Sequence, residues 1–492
     1  MNLYEKSKGR FVDSKPFLLS PNSEVIYSYG DIDHLSSLVA THLAEQGLVA
    51  GDRILVQVEK SINVVVLYLA CLRSSIVYIP LNTQYQKDEL KFFVADANPK
   101  IIITDNQRKK IFELFIKTSN ILNLDEIIAN SENIRNPVVN SELGKSSGDG
   151  IAAMLFTSGT TGKPKGAVIS HKNLIANAQA LTSAWNWSKH DVLLHALPVF
   201  HVHGLFVGLN LPLFNGSSII YLDKFSSKEV VEILPKSTVF MGVPTYYVRM
   251  LFETALTKDS CRKMRVFISG SAPLSEQTFL DFKKRTGHEI VERYGMTETG
   301  MNTSNPLQGL RKLGSVGIPL QGVQVRTRNE SGYISAESEP GEVEVKGQNV
   351  FEGYWKREDY RSIDFTKDGF FRTGDLGHID REGYLFLIGR KKDLIISGGL
   401  NVFPKEIELM IDSFAEVKES AVIGLPHPDF GEQVVAVIVT EETARLDKPT
   451  LINKMKNKIA SFKIPKEVFF VDELPRNAMG KVQKNILRET LS

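Results

Sequence analysis

A run of small and hydroxylated residues occupies positions 157–166, directly after the apolar segment Ile151–Phe156. Backbone N–H groups converge on an anion most easily where side chains are small, and serine and threonine hydroxyls add further donors. A lysine in the same run adds positive charge. This combination predicts a polyphosphate-binding loop, whose candidate ligands are Thr157, Ser158, Gly159, Thr160, Thr161, Gly162 and Lys163.

The spacing of this loop differs from that of the P-loop in kinases and GTPases. The P-loop has four residues between its first glycine and the Gly-Lys pair, followed by serine or threonine. Here only two residues separate Gly159 from Gly162, and Pro164 follows Lys163. A flexible polar loop with solvated lysines is the simpler alternative, but ten specified positions after a strand favour phosphate binding.

Five motifs, in order along the chain, resemble signatures of the class I adenylate-forming enzymes. This family includes acyl-CoA synthetases, firefly luciferase and nonribosomal adenylation domains. Besides the loop at 157–166, the motifs are Tyr294–Glu298, Thr373–Asp375, Gly389–Asp393 and Pro475–Lys481. They span most of the chain, and the resemblance implies an enzyme that activates a carboxylic acid with ATP and transfers it to coenzyme A.

The resemblance implies a site for ATP and Mg²⁺. Glu298 would hold the cation together with Thr160, and one carboxylate is sufficient because Mg²⁺ keeps several waters. Tyr294 would stack on the adenine, although a lone Tyr-Gly pair is more often a buried turn. The other nucleotide contacts implied by the motifs are Gly270, Ser271, Ala272, Glu292, Gly295 and Thr297.

Two residues are implied at the ribose of the nucleotide. Asp375 would accept hydrogen bonds from both ribose hydroxyls, and Arg390 would add a ribose or phosphate contact. An aspartate after glycine is usually a turn residue when it stands alone. The ribose assignment therefore depends on the order of the motifs.

Lys481 is the first candidate for catalysis. Attack of a carboxylate on the α-phosphate brings two anions together, and a mobile ammonium group stabilises the charge that grows in the transition state. The family then rotates its C-terminal domain about the position of Lys392. Gly398 and Gly399 would face the tunnel for the pantetheine arm of coenzyme A, since glycine permits close backbone approach.

Segment 198–204 contains two histidines with different predicted roles. His201 occupies the position of the family's aromatic or histidine gate between the acyl pocket and the thiol tunnel, so it is a candidate catalytic and acyl-site residue. His203 is predicted to be a core histidine whose hydrogen bonds are satisfied.

Two arginines indicate the acid. Arg293 precedes Tyr294, and Arg249 follows segment 242–248, which lines the acyl pocket in relatives. An alkyl pocket would not contain guanidinium groups, because an unpaired buried charge is costly, whereas a second carboxylate would pair with them. The simpler alternative is a surface or interdomain salt bridge for each arginine.

Segments 198–206 and 292–306 resemble malonyl-CoA synthetases in particular. This resemblance predicts malonate or a close analogue as the substrate, and the acyl-site candidates are Arg293, Arg249, His201 and Met301. Acceptance of methylmalonate depends on the room near Leu209 and Met301.

Three other functions stay open on the sequence. A fatty acyl-CoA synthetase would take octanoate in place of malonate, and a carrier-loading enzyme would use protein-borne phosphopantetheine in place of free coenzyme A. A nucleotide-binding regulator would have no catalytic activity. The presence of Lys481, Glu298 and Asp375 together argues against the regulator.

The elements that must position these residues alternate in type along the first part of the chain. Apolar strands at 53–58 and 77–80 enclose a buried helix at 61–75. Such alternation predicts an α/β fold with helix-covered parallel sheets. After about residue 310, short strands between glycine turns predict a β-rich subdomain. We predict an N-terminal AMP- and acyl-binding domain at 1–390 and a small mobile α+β lid at 391–492.

Composition argues against several other classes of protein. The chain of 492 residues has a net charge of +2, so it lacks the excess of positive charge that is typical of nucleic-acid-binding proteins. Its two cysteines share no short spacing, so no metal knuckle or disulfide framework is predicted, and a reducing cytoplasm is the expected location. The longest apolar run, Val64–Leu72, is less than half of the ~20 residues that a membrane helix needs. No oligomeric state follows from the sequence.

Overall fold

The computed structural model describes residues 1–135, 137, 148–157, 164–329, 331–357, 361–397, 400–441, 444–456, 458–476 and 481–492. These residues form two compact units, Met1–Val325 with Val345–Phe371 and Arg326–Glu344 with Arg372–Ser492. The predicted ligands Ser158, Gly159, Thr160, Thr161, Gly162 and Lys163, and the tunnel glycines Gly398 and Gly399, lie outside the described residues.

The strands of the described residues are numbered in chain order. They are β1 (Pro16–Leu19), β2 (Val25–Ser28), β3 (Arg53–Gln57), β4 (Val77–Pro80), β5 (Ile101–Thr104), β6 (Ile121–Asn123), β7 (Ile151–Thr157), β8 (Lys165–Ser170), β9 (Val192–His195), β10 (Ser218–Tyr221), β11 (Val239–Gly242), β12 (Val266–Ser269), β13 (Ile290–Met296), β14 (Gly300–Ser304), β15 (Ile318–Pro319), β16 (Val323–Arg328), β17 (Gly341–Gly347), β18 (Gly353–Tyr354), β19 (Phe371–Ile379), β20 (Leu385–Arg390), β21 (Ile395–Ser397), β22 (Leu400–Val402), β23 (Val417–His427), β24 (Gly431–Thr440) and β25 (Glu467–Phe470).

The α-helices follow in the same order. They are α1 (Leu3–Lys8), α2 (Tyr29–Glu45), α3 (Ile62–Ser74), α4 (Lys87–Ala97), α5 (Asn106–Phe112), α6 (Leu124–Ser131), α7 (His171–Ala184), α8 (Asn210–Asn215), α9 (Ser227–Ile233), α10 (Pro244–Leu251), α11 (Glu276–Thr286), α12 (Arg361–Asp364), α13 (Pro404–Asp412), α14 (Lys448–Met455) and α15 (Lys484–Leu491). A π-helical turn covers His203–Val207, and a short 3₁₀ turn covers Lys391–Asp393.

The first unit contains two large sheets. Their strand orders are β15-β14-β13-β12-β11-β9-β10-β1-β2 and β18-β8-β7-β4-β3-β5-β6. The central pairs are parallel, for example β3 with β4 and β12 with β13. Helices connect these parallel strands, because a parallel pair needs a crossover connection. The predicted α/β class is confirmed.

The sheet topology determines where chemistry is possible. In open α/β sheets, ligands bind beyond the carboxyl ends of the strands. The predicted phosphate loop follows the carboxyl end of β7, segment 198–204 follows that of β9, and the Gly270–Ser271 turn follows that of β12.

The core of the first unit is apolar and explains the longest apolar run of the sequence. In α3, every residue from Val64 to Ser74 is buried, so this helix is an internal element of a folded unit. A second cluster packs α10 and α11 against β11 and β12, with edge-to-face contacts of Phe267 and Tyr247 on Phe282. No helix in the described part of the chain is both long enough and apolar enough to cross a membrane.

The second unit contains two smaller sheets. One has the order β16-β17-β19-β20, as predicted for a β-rich subdomain, and the other has the order β22-β21-β24-β23 with β25 paired to β24. Helix α13 begins at Pro404, because proline suits the first turn of a helix. Apolar clusters cover both faces of β23 and β24.

Helix α14 is shorter than the apolar pattern of its sequence indicates. Leu451, Met455, Ile459 and Phe462 recur at helical spacing, but α14 ends at Met455 because Lys456 has an extended backbone (ψ 139°). All four side chains still contribute to one apolar cluster. The helical spacing of these four residues therefore reflects their burial in one cluster and not a continuous helix.

Candidate active site

The predicted magnesium ligand lies beside the start of the predicted phosphate loop. The hydroxyl of Thr157, the last residue of β7, donates to Glu298 Oε1 at 3.2 Å, and the Tyr354 hydroxyl donates to the same oxygen at 2.9 Å. Glu298 is buried, with 5% of its surface exposed. Two hydroxyls thus orient one buried carboxylate, and this set of oxygen atoms suits Mg²⁺, which binds few protein carboxylates and keeps waters.

Strand β13 contains several predicted nucleotide and acyl residues in sequence. Tyr294 is buried, and Gly295 lies opposite Met301 of β14 in the register. A Cβ atom at Gly295 would lie 2.2 Å from the carbonyl oxygen of Gly300, so no other residue fits there without movement. The half-buried Thr297 and the buried Met301 complete this hairpin.

Glu292 of β13 is a buried carboxyl group. Burial raises its pKa from 4.5 to about 8, although the backbone N–H of Leu274 opposes the shift by donating to it. The folded protein therefore keeps a proton between about pH 4.5 and 8 that the unfolded chain has already lost.

We expect the stability of the first unit to fall as pH rises from about 4.5 to 8 and then to level off, since the folded state binds the extra proton only in that window. Glu292→Gln removes this dependence because glutamine does not ionise. Its melting temperature should equal that of the wild type at pH 4 and exceed it at pH 8.5 by on the order of a few degrees. Thermal melts across this range test the prediction, with the exposed Glu276→Gln as the matched control. Parallel wild-type and Glu292→Gln curves would contradict it.

The turn after β12 approaches Arg293 closely. A Cβ atom at Gly270 would lie 2.4 Å from Arg293 Cζ, so only glycine leaves room for the guanidinium group. Ser271 has a positive φ of 73°, a conformation that side chains other than glycine adopt at a cost. Ala272 is exposed. The turn is therefore held in an unfavourable conformation next to a buried cation.

Arg293 is a buried cation. Only 3% of its surface is exposed, and within the described ranges its Nε and Nη2 atoms have no hydrogen-bond partner. Burial lowers the pKa of this arginine to about 9, so it still carries its charge at neutral pH. A buried positive charge with unused donors is the arrangement expected of a receptor for an anionic group.

Arg249 does not share that environment. It lies on α10 with an exposed side chain, so the expectation that it is a buried acyl-pocket residue is wrong. The apolar side of this helix faces the core through Tyr247 and Met250, and the helical period turns Arg249 away from them. A role for Arg249 in substrate binding stays a prediction.

One of the two histidines of segment 198–204 differs from the expectation. His201 is half-buried, and its Nδ1 accepts from the backbone N–H of His203 at 3.5 Å. His203 is buried, as predicted, but its Nε2 has no partner among the residues that the structure describes. The prediction that His203 is a satisfied core histidine is therefore wrong.

Sequence reasoning missed a half-buried lysine that holds this segment in place. Lys60 Nζ donates to His195 Nδ1 at 3.0 Å, and His195 Nε2 in turn lies 2.8 Å from the carbonyl oxygen of Gly204. Lys60 follows β3 of one sheet and His195 ends β9 of the other. No motif links the two residues, so only the folded chain shows that they meet.

The predicted ribose ligand in the second unit has a cationic partner. Arg390 Nε lies 2.6 Å from Asp375 Oδ1, and Asp375 is buried. The two residues face each other in the register of β19 and β20. The motifs predicted them as separate contacts, and the structure shows that they are adjacent.

Lys481 lies at the end of a loop whose two flanking segments are joined by backbone hydrogen bonds. Arg476 and Val482 form an antiparallel bridge, and the backbone N–H of Gln483 donates to the carbonyl of Pro475 at 2.8 Å. The Lys481 side chain is exposed. Leu487 of α15 and Leu474 are buried in one cluster, which fixes both ends of the loop to the second unit.

The chain belongs to the AMP-binding enzyme family. The family model for AMP-binding enzymes matches residues 5–355, and the model for the AMP-binding enzyme C-terminal domain matches residues 406–481.

Known proteins similar to the chain include ligases for different acids. A malonate–CoA ligase of Arabidopsis thaliana is 34% identical, covering 90% of this chain and 81% of that protein. A long-chain-fatty-acid–CoA ligase of Bacillus subtilis is 31% identical, covering 92% and 88%. The crystal structure of ATP-bound MatB from Rhodopseudomonas palustris is 44% identical with a TM-score of 0.94, covering 100% of this chain and 99% of that one.

Proposed function

We propose that the protein is an AMP-forming acid–CoA ligase that converts malonate, ATP and coenzyme A into malonyl-CoA, AMP and pyrophosphate. Identity alone does not select the acid, because relatives named for malonate and for long-chain fatty acids are 34% and 31% identical. The observation that supports malonate is Arg293. A buried cation with unpaired donors fits a second carboxylate and not an alkyl chain.

In the first half-reaction, a carboxylate oxygen of malonate attacks the α-phosphorus of ATP, and pyrophosphate leaves. The Lys481 ammonium group stabilises the negative charge that develops between the two reacting anions. Asp375 and Arg390 bind the ribose, and Glu292, Tyr294, Gly295, Thr297 and the turn Gly270–Ala272 bind the adenine side. Glu298 and Thr160 would hold Mg²⁺, which when bound would neutralise charge on the phosphates.

In the second half-reaction, the thiol of coenzyme A attacks the carbonyl carbon of the acyl-adenylate, and AMP leaves. We propose that the lid, residues 391–492, turns away between the two steps and removes Lys481 from the site. Gly398 and Gly399 then border the pantetheine arm, and His201 acts as the gate.

The compositional case for a cytoplasmic location is supported by two free, buried cysteines, Cys71 and Cys261.

The contacts around Lys392 support its role as the hinge. Lys391 Nζ lies 2.9 Å from Glu342 of β17, which ties it to the β-rich sheet. Arg488 of α15 lies 2.9 Å from Asp393, which ties that residue to the C-terminal helix. Lys392 is exposed between these two anchored neighbours. A rotation would therefore concentrate in the backbone dihedral angles of this one residue.

We expect Lys392→Pro to slow thioester formation while adenylation persists, because proline fixes φ and removes the range of a hinge. The two half-reactions are measured separately, by pyrophosphate exchange and by thioester formation from supplied malonyl-adenylate. Lys392→Ala keeps the backbone free and is the matched control. An unchanged thioester rate in Lys392→Pro would place the hinge elsewhere.

A panel of acids tests the proposed function directly. AMP release is measured with ATP and coenzyme A for malonate, methylmalonate, acetate, propionate and octanoate, with reactions lacking coenzyme A as the blank. We expect malonate to give by far the highest kcat/KM. The activity with methylmalonate shows whether the site has room for an additional methyl group beside the buried Leu209 and Met301. Equal activity with octanoate would replace this proposal by a fatty acyl-CoA synthetase.

A further inference from the structure

We propose that His203 is a specificity-determining residue that donates a hydrogen bond from Nε2 to the distal carboxylate of the substrate, beside Arg293. The inference rests on the proposed function, since it names a second group for the same dicarboxylic acid. It starts from a buried side chain with an unused nitrogen atom.

The burial of His203 makes its unused Nε2 informative. Only 1% of the residue is exposed, and no atom of the described chain forms a hydrogen bond with Nε2. Buried polar groups of proteins are nearly always paired, and an unpaired one calls for an explanation such as a ligand. His203 also begins a π-helical turn, a rare local structure that often occurs at functional sites.

The Gly270–Ser271 turn contacts both His203 and Arg293. Arg293 lies against Gly270, where a Cβ atom would approach its Cζ to 2.4 Å, and Ser271 Oγ lies 3.5 Å from His203 Nδ1. Adjacent residues of one turn thus contact both side chains. Nε and Nη2 of Arg293 and Nε2 of His203 are left without partners in the described part of the chain.

The chemistry of these groups selects an anion as the missing partner. If the Ser271 hydroxyl donates to Nδ1, the imidazole proton lies on Nε2, which becomes a donor. Burial and the nearby positive charge of Arg293 keep the pKa of His203 well below its ordinary value, so the ring is neutral. A neutral donor and a cationic donor are satisfied together by the two oxygens of a carboxylate.

This arrangement explains how a short monocarboxylic acid would be rejected. Propionate has no distal carboxylate, so it leaves the donors of both Arg293 and His203 unpaired in a dry site. Sites built to hydrogen-bond a substrate group discriminate strongly against analogues that lack the group.

The test compares His203→Met, which has no donor, with His203→Gln, which keeps an N–H group near the position of Nε2. We measure kcat/KM for malonate and for propionate in each variant. His203→Met should lower the malonate-to-propionate ratio about 10- to 100-fold, mainly through the KM of malonate, as expected for one hydrogen bond to a charged group. His203→Gln should restore most of that ratio.

His171→Met is the matched control. His171 is also a buried histidine whose Nε2 has no partner within the described ranges, but its Nδ1 accepts from the backbone of Leu3, outside the predicted site. This variant should leave the ratio unchanged. Thermal melts of all variants show whether each one folds.

The outcomes separate this inference from the proposed function. If wild type prefers malonate and Arg293→Leu lowers the ratio, but folded His203→Met does not, His203 has no part in specificity. Equal loss of both substrates in His203→Met and His203→Gln would likewise overturn it and make His203 structural. A wild type without preference for malonate would instead overturn the proposed function.

Discussion

Lys481→Ala should abolish adenylate formation and spare thioester formation from supplied malonyl-adenylate. The ammonium group stabilises charge that exists only while the carboxylate attacks the α-phosphate, so the loss should be at least about a hundredfold in the first half-reaction. Pyrophosphate exchange measures that step, and coenzyme A consumption with synthetic malonyl-adenylate measures the second.

Lys418→Ala is the matched control for this experiment. Lys418 is another exposed lysine of the second unit, on β23 and outside every motif. It should leave both half-reactions unchanged. Because Lys481 is exposed, its removal should not change the melting temperature. Equal loss of both half-reactions would show that Lys481 does not act in the first step alone.

Arg293→Leu should change activity and stability in opposite directions. Loss of one partner from a buried ion pair costs about 3–5 kcal/mol, which corresponds to about a hundred- to a few thousand-fold in kcat/KM for malonate. Monocarboxylates should become relatively better substrates, since leucine leaves an apolar pocket. The KM for ATP should change little, because Arg293 is assigned to the acid and not to the nucleotide.

The ligand-free variant should also be more stable than the wild type. The wild-type protein buries the Arg293 charge with unpaired donors, and replacing buried ionic groups by apolar ones is often stabilising by about 1–4 kcal/mol. Thermal melts without substrate measure this effect. A purely structural arginine would give the opposite sign, with lower stability and equal losses for all acids.

Arg285→Leu is the control for a structural arginine. The Arg285 guanidinium donates to the carbonyl oxygens of Leu256, Leu251 and Glu253. Its removal should lower stability and leave the malonate-to-propionate ratio unchanged. If Arg293→Leu behaves in the same way, or if it leaves that ratio unchanged, the dicarboxylate proposal is wrong.

The fold class and much of the element pattern could be predicted from the amino-acid sequence. The strands predicted at 53–58 and 77–80 and the helix predicted at 61–75 correspond to β3, β4 and α3, because local apolar patterns and turns act over a few residues. The order of the motifs indicated the family, which the family models confirm. The domain boundary at residue 390 and the residue roles stay predictions.

The pairing of buried polar groups became visible only in the folded chain. His203, the Gly270–Ser271 turn and Arg293 follow or occupy three different strands, so no local pattern reports that the turn contacts both side chains. The same limit explains the error for Arg249, whose exposure depends on which side of α10 faces the core. Local sequence encodes the period of an element, whereas burial and pairing depend on residues far apart in the chain. The arginine was visible in the sequence, but its unpaired, buried state exists only in the folded protein.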